Sequence, residues 1–138
     1  MPGIDLLRGK ADGIPMHKSW NDNASFLRSL DIDHMEYASA VEGIAAVAAF
    51  LADAPLHLGL HGWTSMHDLC VQQTSVTPFN GPHLRLSPLK SGLVEFRYVD
   101  TGIKNRQWVR TATPDQSVGR FQKLLKQLHW VTITHAAG

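Results

Sequence analysis

Residues 83–99 read HLRLSPLKSGLVEFRYV, and this stretch decides the fold. Apolar and polar residues alternate over 83–87, and residues 93–99 are rich in side chains that favour strands. Residues 90–92, which lie between them, have the composition of a tight turn. The stretch therefore predicts two antiparallel strands, and residues 107–111 predict a third.

A helix is predicted after these strands. Thr113 is a suitable N-cap, and Pro114 stands at the first helical position, where a missing backbone N–H leaves no hydrogen bond unmade. The apolar residues that follow recur with helical spacing: Val118, Phe121, Leu124, Leu125 and Leu128. We expect this C-terminal helix to pack across one face of the sheet and to turn its basic residues to solvent.

Residues 33–53 predict a central helix before the strands. Asp33 and Glu36 have the spacing of an N-cap and its reciprocal partner, and Pro55 follows the helix, where it disfavours continuation. Residues 43–50 are small and apolar nearly all round. The helix is therefore expected to be central and close-packed.

The other segments give shorter or ambiguous elements. Residues 23–30 predict a short helix capped by Asn23, preceded by an irregular lead-in over residues 1–22. Leucine alternates with histidine or glycine over 56–61, which predicts a short strand. Residues 64–73 fit either a helical turn or a strand.

These elements predict a single α+β domain over residues 1–138, with N-terminal helices, an antiparallel sheet of three to five strands and a C-terminal helix packed on it. The chain is 43% hydrophobic and 18% charged, as in soluble proteins, and we expect no membrane span. The first residues lack the pattern of a secretory signal, and Cys70 is the single cysteine. Both features favour a cytoplasmic protein.

Charge is sorted along the sequence. Residues 1–80 carry four Lys or Arg and nine Asp or Glu, a net charge of −5, whereas residues 81–138 carry nine and three, a net charge of +6. Such a basic cluster is suited to an acidic partner, or to the acidic half of the same molecule. The predicted partner-binding residues are Lys104, Arg106, Arg110, Arg120, Lys123 and Lys126.

Aromatic and methionine side chains in the first half give a second indication of protein binding. There are more of them than one helix pair needs, so some are expected to form an exposed apolar patch that contacts a partner or a second copy. The residues are Met16, Trp20, Phe26, Met35, Tyr37, Phe50, Trp63 and Met66.

A histidine cluster raises the alternative of a metal-dependent enzyme. His57, His61 and His67 lie close in sequence, with Asp68 beside them. On a strand, residues four apart are separated by about 13 Å, which prevents His57 and His61 from sharing one zinc. A turn at Gly62 would be needed to bring His61 toward His67 or Asp68, the three residues of the candidate metal site. Cys70 near His67 raises a thiol nucleophile, although a lone cysteine is more often a small buried hydrophobe.

The function predicted first is therefore a small cytoplasmic binding or regulatory protein that engages a protein partner through its basic C-terminal surface. Phosphate-loop, dinucleotide and serine-hydrolase motifs do not occur, so we expect neither a catalytic residue nor a cofactor. Two alternatives stay open beside a homodimer. One is a nucleic-acid-binding module, because aromatic residues interleave with arginines on the strands, and the other is the metal-dependent enzyme.

Overall fold

A computed structural model describes residues 19–53, 59–73, 82–100 and 107–130. The helices in these ranges are α1 (Trp20–Arg28), α2 (Met35–Asp53) and α3 (Ser117–Leu128), with a 3-10 turn at Pro114–Gln116 before α3. The strands are β1 (His61–Ser65), β2 (Asp68–Gln72), β3 (His83–Pro88), β4 (Val94–Val99) and β5 (Trp108–Ala112). The predicted α+β class is confirmed.

The sheet has the simplest antiparallel topology. Its strand order is β1-β2-β3-β4-β5, so each strand pairs with its neighbour in sequence. The three strands predicted from 83–111 are present, and Leu86 lies opposite Phe96 at the centre of the β3–β4 pair. Both side chains are fully buried, which is the result that the alternating pattern predicts.

The ambiguous segment over 64–73 is a hairpin and not a helical turn. Ser65 pairs with Asp68, so the loop consists of Met66 and His67 alone. Met66 has a positive φ of 56°, which is the backbone conformation that a two-residue hairpin requires at its first loop position. Of the strand predicted over 56–61, residues 56–58 lie outside the described ranges, Gly59 and Leu60 are not part of a strand, and His61 is the first residue of β1.

Two predicted caps are wrong by a few residues. α1 begins at Trp20, where Ser19 Oγ accepts from the backbone N–H of Asp22. The predicted cap Asn23 is instead a buried residue inside this helix. At α2, His34 Nδ1 accepts from the backbone N–H of Tyr37 at 3.2 Å, because the helix starts at Met35, one residue too late for Asp33 to cap it.

Helix α2 lies at the centre of the helical layer, as predicted. It contacts β3 and β4 on one side, and both α1 and α3 pack against it. Its buried residues are Ala40, Val41, Gly43, Ile44, Ala45, Val47, Ala48 and Leu51. A Cβ at Gly43 would lie 2.9 Å from Pro114 Cα, so the absent side chain lets the start of α3 approach the α2 backbone.

Helix α2 is also the one described helix that is long and apolar enough to cross a membrane, judged by length and composition alone. The core helix of a soluble protein passes the same test. Here its buried residues belong to the cluster that joins the three helices to the sheet.

Candidate functional site: the C-terminal basic surface and an apolar groove

Helix α3 separates apolar from basic residues. Phe121, Leu124 and Leu125 are buried, whereas Lys123 and Lys126 are exposed and Arg120 is half-buried. The three basic residues recur every three positions and so follow one another along the outer side of the helix. Together with Arg110, these three residues are the described members of the predicted partner-binding set, and we call this set the C-terminal basic surface.

Among the described residues, the α3 cations differ from Arg28, Arg85 and Arg97 in having no acidic partner. Arg28 pairs with Glu42 at 2.8 Å, and Arg97 pairs with Glu95 at 2.7 Å. Arg85 pairs with Asp68 at 2.6 Å, which joins the acidic and basic halves of the chain. Within the described ranges no carboxylate forms a salt bridge with the basic residues of α3. The acidic half therefore does not neutralise this helix through ion pairs with its described residues.

A shallow hollow of about 300 Å³ lies at the start of α3. It is lined by Asp115, Gln116, Gly119, Arg120 and Lys123. Asp115 is the acidic member of this lining, and it offsets part of the positive charge at that end of the helix. The charge beyond it, toward Lys126, has no such offset among the described residues.

Arg110 lies on β5, an edge of the described sheet. Its guanidinium carbon lies 5.0 Å from the centre of the Trp108 ring, and its Nη1 donates to the carbonyl oxygen of Val109 at 2.9 Å. Lys104 and Arg106, which are also predicted to bind the partner, lie outside the described residues.

The aromatic residues of the sheet pack with one another and with the core. Tyr98 stacks on Trp108 with ring centres 5.5 Å apart. Trp130 meets Tyr98 edge to face, with ring centres 6.3 Å apart. Phe96 is fully buried. Because the opposite face of β4 carries the Glu95–Arg97 pair, the described sheet lacks the open row of rings on which bases stack.

The candidate metal residues are not brought together. His61 pairs with Gln72 at one end of the β1–β2 hairpin, whereas His67 lies in the loop at the other end. The strand between them is about 13 Å long, and Asp68 forms a salt bridge with Arg85. In the part of the chain that the structure describes, no three His, Cys, Asp or Glu residues form a group that could hold a metal ion. His57 lies outside that part.

Cys70 is buried and lies opposite Arg85 across the β2–β3 pair. Burial raises the pKa of its thiol to about 12, and the nearby Arg85 charge opposes this rise only in part. The reactive form of cysteine is the thiolate, which is therefore scarce at neutral pH. These properties are those of a small core residue and do not fit a nucleophile.

A groove that the sequence motifs did not indicate lies at the N-terminal end of α2. Its volume is about 620 Å³, and its lining residues come from three separate parts of the chain: Asp31, Ile32, Asp33, His34, Tyr37, His67 and Lys90. The Tyr37 hydroxyl and His67 Nδ1 are hydrogen-bonded at 2.8 Å, with the two rings edge to face. We call this feature the α2 groove.

The predicted apolar patch is present in part. Met35 and Met66 are 76% and 86% exposed, and each is adjacent in sequence to a residue of the α2 groove. Trp20 and Trp63 are instead buried, and Met16 lies outside the described residues. The excess of aromatic and methionine residues was the one signal in the sequence that pointed toward the groove.

Comparison with protein-family models, with curated proteins and with solved structures finds no match for this chain.

Proposed function

We propose that this protein is a small cytoplasmic binding protein that engages an acidic protein partner through the C-terminal basic surface. The observation that carries the proposal is the contrast between paired and unpaired cations. Arg28, Arg85 and Arg97 have carboxylate partners within the chain, whereas the α3 cations have none among the described residues.

The spacing of these cations supports recognition by several acidic side chains at once. Arg120 and Lys126 are separated by roughly 9 Å along the helix axis, which is close to the Debye length of about 10 Å at 0.1 M salt. Their fields therefore overlap, and like charges at helical spacing repel each other weakly. An acidic partner relieves this repulsion and is also attracted to the surface before contact.

A pull-down from the native host tests the proposal. The key variant is Lys123→Gln with Lys126→Gln, which removes two positive charges from exposed positions of α3 without touching its buried side. The matched control is Asn21→Glu with Ser25→Glu, which changes the net charge by the same amount at exposed positions of α1. A second control, Lys123→Arg with Lys126→Arg, keeps the charge.

The expected result is a protein that binds the wild type and both controls but is depleted from the Lys→Gln variant. Each exposed ion pair contributes about 0.2–1 kcal/mol, so losing two should weaken a purified complex between about 2-fold and 30-fold. The binding should also weaken as salt concentration rises. If every captured protein responds equally to the Lys→Gln variant and to the α1 control, the surface does not select the partner.

Nucleic acid is the second class of partner, because the cations of the C-terminal basic surface are also suited to phosphate groups. A labelled single-stranded oligonucleotide distinguishes the two classes. A nucleic-acid binder should shift it at low salt, with an affinity that falls steeply as salt rises. If the captured protein is still retained after nuclease treatment and the oligonucleotide shows no shift, nucleic acid is excluded and the partner is a protein.

A further inference from the structure

Two exposed methionines lie next in sequence to residues that line the α2 groove. Large apolar residues exposed in the described ranges are Met35, Met66 and Val109, and the two methionines are the most exposed. Met35 directly follows His34, and Met66 directly precedes His67, so both methionines are sequence neighbours of residues that line the groove. Flexible, exposed methionines are characteristic of surfaces that bind apolar side chains of a partner.

The groove wall is held in place by a contact between two elements. The hydrogen bond between the Tyr37 hydroxyl and His67 Nδ1 joins α2 to the loop of the β1–β2 hairpin. The positive φ of Met66 places this loop in a tight two-residue turn, which limits its freedom. The side of the groove formed by Tyr37 and His67 is therefore preformed, and binding of a ligand does not have to order it.

The charged residues around the groove favour one sign of charge on the ligand that binds there. Asp31 and Asp33 are exposed in its lining, and neither forms a salt bridge with a described residue. Glu36 adds a third carboxylate nearby, next to His34 at 3.7 Å. Lys90 is the one lysine or arginine in the lining. The local excess of carboxylates favours a cationic ligand, which is the reverse of the C-terminal basic surface.

From these features we propose that the α2 groove binds a basic amphipathic helix of a partner protein. The apolar side of that helix lies against Ile32 and Tyr37, which line the groove. Its lysine or arginine side chains face Asp31 and Asp33. A volume of about 620 Å³ is within the range of specific binding pockets and accommodates anchor side chains of one helix face.

Methyl-labelled methionine NMR tests this proposal on the full chain, since the four methionines give separate probes. The probe ligand is a model helix with the sequence Leu-Lys-Lys-Leu-Leu-Lys-Leu repeated twice, and its counterpart has glutamate in place of every lysine. The lysine peptide should shift the Met35 and Met66 signals together and to saturation. The glutamate peptide should leave them in place.

Charge variants test whether Asp31 and Asp33 contact the lysine side chains of the peptide. Asp31→Asn with Asp33→Asn should weaken binding of the lysine peptide about 2-fold to 30-fold, because two exposed ion pairs are lost. The matched control, Asp22→Asn with Asp53→Asn, removes two carboxylates at exposed helix positions elsewhere and should bind as the wild type does. Lys123→Gln with Lys126→Gln should also bind normally, which separates this test from that of the C-terminal basic surface.

Three outcomes would overturn the proposal. The first is an equal response of the two methionines to the lysine and glutamate peptides. The second is equal weakening by the groove variant and by its control. The third is a change in the Met35 and Met66 signals with protein concentration alone, which would assign the groove to a second copy of this chain.

Discussion

Replacement of the two helical glycines by alanine separates helix propensity from packing. Gly43 lies inside α2 and is buried, whereas Gly119 lies inside α3 and is exposed. Alanine stabilises a helix interior by about 0.8–1 kcal/mol relative to glycine at either position. Any difference between Gly43→Ala and Gly119→Ala beyond this shared gain therefore measures what the new methyl group meets.

The two methyl groups meet different surroundings. At Gly119 no atom outside the local backbone lies within 4 Å of the new Cβ, so we expect a gain of about 0.5–1 kcal/mol. At Gly43 the Cβ would lie 2.9 Å from Pro114 Cα, 3.0 Å from Ser117 Oγ and 3.1 Å from Pro114 Cβ. Since backbone atoms must move, overpacking of about 2–3 kcal/mol exceeds the helical gain and leaves a net loss of about 1–2 kcal/mol.

Urea unfolding monitored by circular dichroism measures both changes, and thermal unfolding provides a second readout at about 3 °C per kcal/mol. The expected order of stability is Gly119→Ala above wild type above Gly43→Ala. If Gly43→Ala is as stable as Gly119→Ala, the start of α3 does not rest on the α2 backbone as the structure has it. The placement of the C-terminal basic surface relative to α2 would then be wrong as well.

Two further predictions concern buried or hydrogen-bonded side chains. Burial raises the pKa of the Cys70 thiol from 9.0 to about 12, so the folded state holds a proton that the unfolded state loses. The stability contributed by this group is therefore present below pH 9 and is lost toward pH 12, with a slope of about 1.4 kcal/mol per pH unit. Alkaline urea titrations should show a shallower decline for Cys70→Ala than for wild type, and parallel curves would contradict the burial of the thiol. Tyr37→Phe removes the hydrogen bond to His67 and should lower the free energy of unfolding by about 0.5–1.5 kcal/mol. It should also shift the His67 ring resonances in NMR spectra, and unchanged resonances would mean that the two groups do not meet in solution.

Local patterns were sufficient for the elements that carry their own periodicity. The strands over 83–99 were predicted because burial on one face leaves a regular spacing of apolar residues in the sequence. The helix over 33–53 was predicted because its small apolar residues form one continuous run that Pro55 follows. The β1–β2 hairpin was ambiguous because its loop is Met66-His67, without the glycine or asparagine that usually marks a positive φ. The predicted N-caps, Asn23 and Asp33, were wrong because several residues near each helix start have side chains that can accept a hydrogen bond from a backbone N–H. The sequence does not show that Ser19 and His34 are the ones that do so.

Some candidate sites could likewise be predicted from local sequence patterns, and others depended on the fold. The basic stripe of α3 was predictable, because residues three apart on one helix share a side whatever surrounds them. The α2 groove was not, because its lining residues come from three parts of the chain, around residues 31–37, 67 and 90, that only the fold brings together. The candidate metal site failed for the converse reason: His61 and His67 are close in sequence, and the strand between them keeps them apart.

The sequence by itself determined the α+β class, most element positions and the uneven distribution of charge along the chain. These properties depend on composition and on spacing between near neighbours. Only the tertiary structure decided which charges are neutralised, because an ion pair such as Arg85–Asp68 forms across strands that the sequence does not align by itself. Arg120, Lys123 and Lys126 are left without described partners for the same reason: the fold places the carboxylates of the acidic half elsewhere.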